Sequence, residues 1–262
     1  MKYDVGFIGG GNMGGALAKA AAKTSFTLAI SDKDENKAKA LAEELSCQST
    51  TTCDIAENAK YIFLGVKPQV LPELLSDLAP ILKKRQDKFT LVTMAAGKSI
   101  SFITENLGSN CPVIRIMPNT PVSIGEGMIL YCTNDLAEDG EFLDILKFAG
   151  ALDKIPEALI DCASCVSGCG PAFVYMFIEA LADGGVACGL PRDKAIAYAS
   201  QTLVGAAKLV MESGKHPELL KDEVCSPGGT TIQGVHALEK NAFRNGVIDA
   251  VESAYKRTLE LK

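Results

Sequence analysis

Three glycines spaced as G-x-G-x-x-G constrain the fold of this chain more than any other feature. Gly9, Gly11 and Gly14 directly follow the apolar run Val5–Ile8 and precede a helical pattern that starts near Met13. In this context the first glycine permits a tight turn, the second lets the backbone approach a pyrophosphate, and the third lets helix and strand pack closely. The helix N-terminus adds partial positive charge. The loop therefore predicts a dinucleotide site, with a purely structural turn as the alternative.

Short apolar runs alternate with helical patterns up to about residue 158, as in a doubly wound α/β sheet. The predicted strands are Val5–Ile8, Phe26–Ile30, Tyr61–Val66, Thr90–Met94, Val113–Met117 and Met128–Cys132. The predicted helices are Met13–Lys23, Asn36–Leu45, Gln69–Leu82, Ile100–Leu107 and Glu138–Phe148, with a further short helix opened by a capping box at Asp54–Glu57.

No convincing strand follows Leu159, and long helical patterns take over. We predict helices from Pro171 toward Cys188, and over Arg192–Glu212, Thr231–Lys240 and Arg244–Leu261. The fold class is therefore α/β: a Rossmann-like, doubly wound parallel sheet in residues 1–158, followed by an all-helical domain in residues 159–262. The uncharged run Cys162–Ile178 is interpreted as a buried helix start rather than a membrane span, because glycines and Pro171 interrupt it and acidic residues follow it.

Composition narrows the functional class. A net charge of −6 argues against nucleic acid or an anionic membrane as the main partner. Nine cysteines, an odd number, favour reduced thiols and a cytoplasmic location, and no targeting segment is recognised at the N-terminus. Cys162, Cys165 and Cys169 are expected to be packing residues rather than metal ligands, because the chain has only two histidines. No metal site is predicted.

The residues after the second strand bear on the choice of cofactor. A carboxylate in the position of Asp32 usually binds the ribose hydroxyls and repels a 2′-phosphate, which favours NADH. Ser31 and Lys33 are suited to accept that phosphate if Asp32 points away, which favours NADPH. The sequence leaves both cofactors open.

Other strand ends are expected to line the ligand crevice, because ligands bind at the carboxyl ends of parallel strands. These ends are Val66-Lys67-Pro68, Ala95-Ala96-Gly97 and Met117–Pro121. Asn119 offers a donor and an acceptor suited to a carboxamide, although it could instead hold a turn between two prolines.

Taken with a distinctive C-terminal segment, these motifs closely resemble the pyrroline-5-carboxylate reductase family over essentially the whole chain. The segments that carry the resemblance are Gly6–Gly14, Val66–Pro68, Ala95–Gly97, Met117–Pro121, Ser167–Ala172, Ala182–Val186 and, most specifically, Ser226–Ile232 (SPGGTTI).

The resemblance implies reduction of 1-pyrroline-5-carboxylate to L-proline by NADPH or NADH, the last step of proline biosynthesis. It implies a homodimer with interlocked helical domains, in a family where larger rings of dimers also occur, with each active site shared between subunits. The implied cofactor-binding residues are Gly9, Gly11, Asn12, Met13, Gly14, Ser31, Asp32, Lys33, Val66, Lys67, Pro68, Ala95, Ala96 and Asn119. The implied substrate-binding residues are Ser226, Gly228, Gly229, Thr230 and Thr231. Asp32 departs from many NADPH-preferring relatives, which bears on the cofactor and not on the reaction.

Ser226–Thr231 contains no acid, base or thiol, yet suits this substrate. A protonated cyclic imine is already electrophilic, so its reduction needs placement and charge complementarity more than a protein acid. We expect Ser226 Oγ and the N–H groups of Gly229, Thr230 and Thr231 to bind the carboxylate at a helix start marked by a Thr230–Gln233 capping box. Ser226 and Thr231 are the predicted catalytic residues, with Thr231 Oγ bonded to the imine nitrogen. His216 and His236 are not expected to donate a proton.

Two other functions are compatible with the glycine loop. Another imine reductase or a β-hydroxyacid-type dehydrogenase would share this architecture. The β-hydroxyacid type needs a lysine base on the first long helix of the second domain, and Phe173–Cys188 contains no lysine. A non-catalytic dinucleotide sensor would keep the glycine loop but have no reason to keep Ser226–Thr231.

Overall fold

The computed structural model describes residues 1–260, and its centre is one eight-stranded sheet. The strands are β1 (Tyr3–Ile8), β2 (Leu28–Ser31), β3 (Gln48–Ser49), β4 (Ala59–Leu64), β5 (Thr90–Thr93), β6 (Val113–Met117), β7 (Gly127–Thr133) and β8 (Gly150–Lys154). Their order is β3-β2-β1-β4-β5-β6-β7-β8. All neighbouring strands are parallel except β6 and β7, which are antiparallel. The order reverses direction between β1 and β4, which is where a doubly wound sheet binds its ligand.

Helices α1 to α6 connect these strands. They are α1 (Asn12–Ala21), α2 (Glu35–Glu44), α3 (Thr52–Asn58), α4 (Leu71–Leu82), α5 (Ile100–Leu107) and α6 (Gly140–Leu146), with a short 3₁₀ helix at Thr120–Ile124. The later helices are α7 (Glu157–Ser167), α8 (Gly170–Ala187), α9 (Arg192–Ser213), α10 (Pro217–Val224), α11 (Thr230–Lys240) and α12 (Phe243–Glu260).

Two apolar layers cover the two faces of the sheet. Val5, Phe7 and Phe63 lie in one layer, where the rings of Phe7 and Phe63 stack with centroids 4.6 Å apart. Ile8 and Ile62 point into the other layer. This alternation is what strands buried on both faces require, and it explains their continuous apolar runs.

The predicted mostly parallel sheet is confirmed, but several local predictions were wrong. The capping box at Asp54 is not formed, because Thr51 caps α3 by accepting a hydrogen bond from Asp54 N at 3.1 Å. Strands β3 and β8 and helices α7 and α10 were not predicted.

The chain folds as two compact units. Unit 1 contains Met1–Cys169 together with the chain from Ala254 onward, and unit 2 contains Gly170–Ser253. Within unit 2 the buried hydrophobic residues are three alanines, Ala182, Ala195 and Ala199.

The interpretation of Cys162–Ile178 as a buried helix start was wrong for the single chain. Val174 is 44%, Tyr175 57% and Met176 70% exposed. The helical stretch Glu157–Ala187 contains an 18-residue window with a mean hydropathy of 1.5, long and apolar enough to span a membrane by length and composition. Only 11% of that window is buried, so most of its apolar surface is exposed in the single chain.

Candidate active site

The glycine loop between β1 and α1 has room for side chains at only some of its positions. Gly9 has φ +102°, and a Cβ there would lie 2.6 Å from the carbonyl oxygen of Gly65. A Cβ on Gly14 would overlap the carbonyl oxygen of Gly9. A Cβ on Gly11 would meet nothing within 4 Å. Gly9 and Gly14 therefore serve backbone packing, whereas the space beside Gly11 is open to a ligand.

Helix α1 begins at this open point. Gly11 is its N-cap, and no side chain caps the helix there. The first N–H groups of a helix have no partner inside the helix, so those of Asn12 and Met13 are available to an anion. Asn12 is exposed, while Met13 is half-buried and packs against the core. The residues present thus fit the pyrophosphate of a dinucleotide.

Asp32 braces the glycine loop from the end of β2. Its Oδ2 accepts a hydrogen bond from Gly10 N at 2.7 Å, and its Oδ1 accepts one from Asp34 N at 3.0 Å. Both carboxylate oxygens therefore already bond to backbone N–H groups. The sequence motif pointed to Asp32 but not to this contact.

A cavity of about 360 Å³ lies beside Asp32. Hydroxyl groups from Ser31, Ser49 and Thr50–Thr52 line it, together with Lys33 and Lys39. Ser31 is buried, and its Oγ lies 3.1 Å from Thr52 Oγ1. Lys33 is exposed. A ribose with or without a 2′-phosphate would find hydroxyl and ammonium partners here.

The other predicted strand ends lie at the same edge of the sheet, because β1, β4, β5 and β6 are parallel. After β4, Val66 and Pro68 are half-buried and Lys67 is exposed. After β5, Ala95 is buried and Ala96 is exposed.

Asn119, after β6, uses both ends of its amide inside unit 1. Its Nδ2 donates to the carbonyl oxygen of Ser167, and its Oδ1 accepts from Met128 N, each at 2.9 Å. The side chain thus ties the end of β6 to β7 and to the end of α7. Asn119 therefore holds these three elements together. Its second N–H and the second lone pair of its oxygen remain available to a ligand.

Ser226–Gly229, between α10 and α11, forms a tight turn. Gly229 N donates to the carbonyl oxygen of Ser226 at 3.0 Å, and Gly228 has φ +68°. Pro at the second position and a positive-φ glycine at the third are typical of a type II turn. Ser226 Oγ occupies the place that a Cβ on Gly229 would need. The N–H of Gly229, expected from the sequence to bind the substrate carboxylate, is thus already bonded within the turn.

Helix α11 begins at the end of this turn. Its N-cap is Gly229, without a side-chain cap, so the predicted Thr230–Gln233 capping box is not formed. Thr230 and Thr231 are the first two helical residues and are exposed. Among the described residues their hydroxyls have no hydrogen-bond partner. The turn thus ends in free N–H groups and free hydroxyls, which together can bind a carboxylate.

Charged groups join the helices on either side of this turn. Arg244, on α12, bonds to Glu218 of α10 at 2.7 Å and to Glu239 of α11. Hydrogen bonds from Lys221 and then Arg244 lower the pKa of Glu218 to about 2. His216 caps α10, since its Nδ1 accepts from Glu218 N at 3.2 Å. His236 is exposed on α11.

The predicted site residues therefore form two groups. The glycine loop and the strand ends belong to unit 1, and Ser226–Thr231 belongs to unit 2.

Comparison with known proteins finds similarity along the whole chain. A family model for pyrroline-5-carboxylate reductase dimerisation matches residues 157–261, and one described as NADP oxidoreductase coenzyme F420-dependent matches residues 4–97. The pyrroline-5-carboxylate reductase of Pisum sativum is 40% identical over 266 residues, covering 99% of this chain and 96% of that protein. The NADP-bound structure of Plasmodium falciparum pyrroline carboxylate reductase superimposes with a TM-score of 0.84 at 33% identity, covering 98% of this chain and 97% of that one. A pyrroline-5-carboxylate reductase from Coxiella burnetii gives a TM-score of 0.90 at 28% identity, covering 100% and 99%.

Proposed function

This chain belongs to the pyrroline-5-carboxylate reductase family, and from that premise we propose which of its residues hold the reacting molecules. The chain reduces the C=N bond of 1-pyrroline-5-carboxylate with a hydride from NADPH or NADH and forms L-proline. The observation that carries the residue assignment is the Ser226–Thr231 turn, which presents free donors and no acid or base.

The cofactor pyrophosphate is assigned to the glycine loop and the start of α1. The open space beside Gly11 and the free N–H groups of Asn12 and Met13 support this assignment. The nicotinamide end is assigned to the strand ends on the β4-β5-β6 side of the switch point. That set is Val66, Lys67, Pro68, Ala95, Ala96 and Asn119.

The adenosine end is assigned to the cavity beside Ser31 and Lys33. Asp32 is held by two backbone N–H groups, so its role is to shape the loop. The hydroxyl groups of the cavity can donate hydrogen bonds to a 2′-phosphate, and Lys33 can pair with its charge, whereas Lys39 is already paired with Glu35 of the same cavity at 3.4 Å. We therefore assign NADPH to this site as well as NADH.

The substrate carboxylate is assigned to Ser226 Oγ and to the N–H groups of Thr230 and Thr231. A helix start favours an anion through its free donors and its dipole. Gly228 supplies the positive φ that turns the chain, and Gly229 leaves the space that Ser226 Oγ occupies.

Thr231 Oγ is assigned to the imine nitrogen. When hydride adds to the ring carbon, the π electrons of the C=N bond move to nitrogen. That nitrogen already carries its proton in the protonated imine, so no protein acid has to supply one. The hydroxyl orients the ring and accepts a hydrogen bond from the N–H group, and the residues thereby contribute placement.

The active form is proposed to be a homodimer with interlocked helical domains, on which larger rings can be built. Unit 2 buries so few apolar side chains that it lacks a sufficient core of its own. Exposed apolar residues along α8 and α9, such as Met176 at 70% and Met211 at 73%, provide the surface that a second subunit would cover. In this dimer the Ser226–Thr231 turn of one subunit completes the cofactor site of the other.

Three further assignments go with this proposal. A functional boundary near residue 158 separates the dinucleotide-binding domain from the dimerisation domain, in agreement with the family match that begins at residue 157. The exposed apolar face of α8, within the apolar stretch Glu157–Ala187, is assigned to the subunit interface rather than to lipid. A cytoplasmic location is supported by nine free cysteines.

The test compares Thr231→Val, which removes the hydroxyl, with Thr231→Ser, which keeps it. With the imine and NADPH, Thr231→Val should lower kcat/KM by an amount equivalent to about 1–3 kcal/mol, the cost of a lost hydrogen bond to a charged group. Thr231→Ser should stay close to wild type, and the product should be identified as L-proline. An unchanged kcat/KM in Thr231→Val would remove Thr231 from the site.

A further inference from the structure

Arg115 is a charged residue in the interior of the sheet. It lies in β6 between Ile114 and Ile116, and only 2% of it is exposed. In the parallel register its Cα pairs with that of Thr93, the last residue of β5. Arg115 thus lies beside the C-terminal end of β5, which precedes the loop Ala95–Gly97. It is also two residues from the C-terminal end of β6 at Met117.

Two carboxylates of α7 bond to this guanidinium. Nη2 bonds to Asp161 Oδ1, and Nη1 lies 3.4 Å from Glu157 Oε1. The same Glu157 oxygen accepts a hydrogen bond at 2.7 Å from Ile100 N, the first N–H of α5. The first two turns of α7 are thereby attached both to β6 and to the helix that follows Ala95–Gly97.

The far end of α7 is attached to the same edge of the sheet. Its last residue, Ser167, accepts the hydrogen bond from Asn119 Nδ2. Helix α7 thus touches both strand ends to which the nicotinamide half of the cofactor is assigned. It reaches one through Glu157 and Ile100 and the other through Ser167 and Asn119.

Stability alone does not account for a charge at this position. Buried ion pairs can often be replaced by apolar side chains without loss of stability. Within the described chain, Arg115 Nε is also a buried donor without a hydrogen-bond partner, which costs folding energy. Val113 and Met117, which point to the same face of β6 as Arg115, are apolar and pack in the core, so an apolar residue would suit this position.

We propose that Arg115 is a positioning residue for the cofactor, through α7 and its contacts with Glu157 and Asp161. It sets the two loops Ala95–Gly97 and Met117–Asn119 at the spacing that the nicotinamide requires. This inference rests on the proposed assignment of those loops to the cofactor.

The test uses a second buried arginine as a matched control. Arg85 forms a two-point pair with Asp87 and donates to the carbonyl oxygens of Ala56 and Ala59. These contacts lie next to the start of β4, at the opposite edge of the sheet. Arg85→Met therefore removes an ion pair and two hydrogen bonds of a side chain that is only 4% exposed, away from the cofactor edge.

Isothermal titration calorimetry with NADPH and with its fragment 2′,5′-ADP separates the two halves of the cofactor. Arg115→Met should weaken NADPH binding by about tenfold and leave 2′,5′-ADP binding unchanged. Arg115→Lys should lie between Arg115→Met and wild type, because a single ammonium cannot hold two carboxylates in the forked geometry of arginine. Arg85→Met should lower the melting temperature but leave both affinities as in wild type.

If Arg115→Met fails to fold, Glu157→Gln serves instead. It keeps an oxygen for Ile100 N but removes the charge, and it should weaken NADPH binding selectively. Unchanged NADPH affinity in the folded variant, or equal decreases in affinity for NADPH and 2′,5′-ADP, would overturn the inference. Neither result would contradict the assignment of the cofactor site. Wild-type protein that bound neither ligand would overturn the cofactor assignment and this inference with it.

Discussion

The carboxylate of Asp32 holds the backbone N–H of Gly10 at 2.7 Å, so the residue expected to select the cofactor also shapes the loop that binds it. From the sequence, Asp32→Ala is expected to favour NADPH by removing a repelling charge. From the structure, the same substitution also removes a hydrogen bond between a charged group and the glycine loop.

We therefore predict that Asp32→Ala weakens NADPH and NADH binding together, by about tenfold, the scale of a hydrogen bond to a charged group. Asp34→Ala is the control, because Asp34 caps α2 through Asn36 N and Lys37 N and does not touch the loop. Calorimetric affinities for both cofactors would decide. Tighter NADPH binding with weaker NADH binding would show that charge repulsion dominates.

Gly229 should tolerate no side chain, because Ser226 Oγ occupies the position of its Cβ. Gly229→Ala should displace the serine hydroxyl and raise KM for the imine by about tenfold, as expected for a misplaced binding group. Gly234→Ala is the matched control within α11, since its Cβ would meet nothing within 4 Å. It should stabilise the helix by about 0.5–1 kcal/mol and leave KM unchanged. Equal KM values for the two variants would contradict the assigned role of Ser226.

The exposed apolar face of α8 should be essential for assembly. Met176→Glu places a charge on a side chain that is 70% exposed in the single chain, and we expect light scattering to show smaller particles with little activity. Leu136→Glu changes a side chain that is 53% exposed in unit 1, and it should keep both mass and activity. An intact assembly of the Met176→Glu variant would place the subunit interface elsewhere.

Two buried thiols should make stability fall at alkaline pH. Burial raises the pKa of Cys111 to about 11, and burial together with the Glu157 charge raises that of Cys132 to about 11. In the unfolded chain such thiols ionise near pH ~8.5. The unfolded state therefore loses protons first, and each thiol should lower the free energy of unfolding by about 1.4 kcal/mol per pH unit between these values. Below about pH 8.5 neither thiol contributes to the pH dependence.

Urea unfolding across this pH range measures the slope. Cys111→Ala should reduce it by the share of one thiol, whereas Cys53→Ala, at an exposed position, should not change it. Identical slopes for the two variants would show that Cys111 ionises as readily in the folded chain as in the unfolded one.

The buried strands could be predicted from the sequence because parallel strands covered on both faces are apolar without interruption. Strand β3 has only two residues, both polar, and β8 is a largely exposed strand at the edge of the sheet. Neither carries such a run. The antiparallel pairing of β6 and β7 depends on the 3₁₀ helix between them, which apolar periodicity does not reveal.

Helix starts were harder to place, because hydroxyl residues occur in runs. Thr50-Thr51-Thr52 offers three possible caps before Asp54, and the structure uses the middle one. The starts of α7 and α10 could have been predicted from Pro156-Glu157 and Pro217-Glu218. Proline and an acidic residue are both common at the start of a helix.

The sequence indicated the glycine loop and the Ser226–Thr231 turn as candidate site segments, but it did not indicate the hydrogen bonds that Asp32 and Asn119 form. A glycine or hydroxyl motif indicates the local backbone conformation and the hydrogen-bonding groups that it offers. Asp32 and Asn119 instead bond to backbone groups that are distant in sequence, which no local motif indicates. The environment of Arg115 could have been predicted in part. A single arginine within the apolar run Val-Ile-Arg-Ile-Met is expected to be buried, and a buried charge is expected to have a carboxylate partner. Its position in the chain does not say that α7 supplies two.

The sparse core of unit 2, with Ala182, Ala195 and Ala199 as its buried apolar residues, bears on how the protein matures in the cell. A newly synthesised chain can complete unit 1 alone, because both faces of its sheet are covered from within. In the proposed dimer, the exposed apolar surface of unit 2 is covered only when the chain meets a second one. With that dimer, maturation is second order in chain concentration, and slow synthesis lengthens the time during which unassembled chains are exposed to proteases and aggregation.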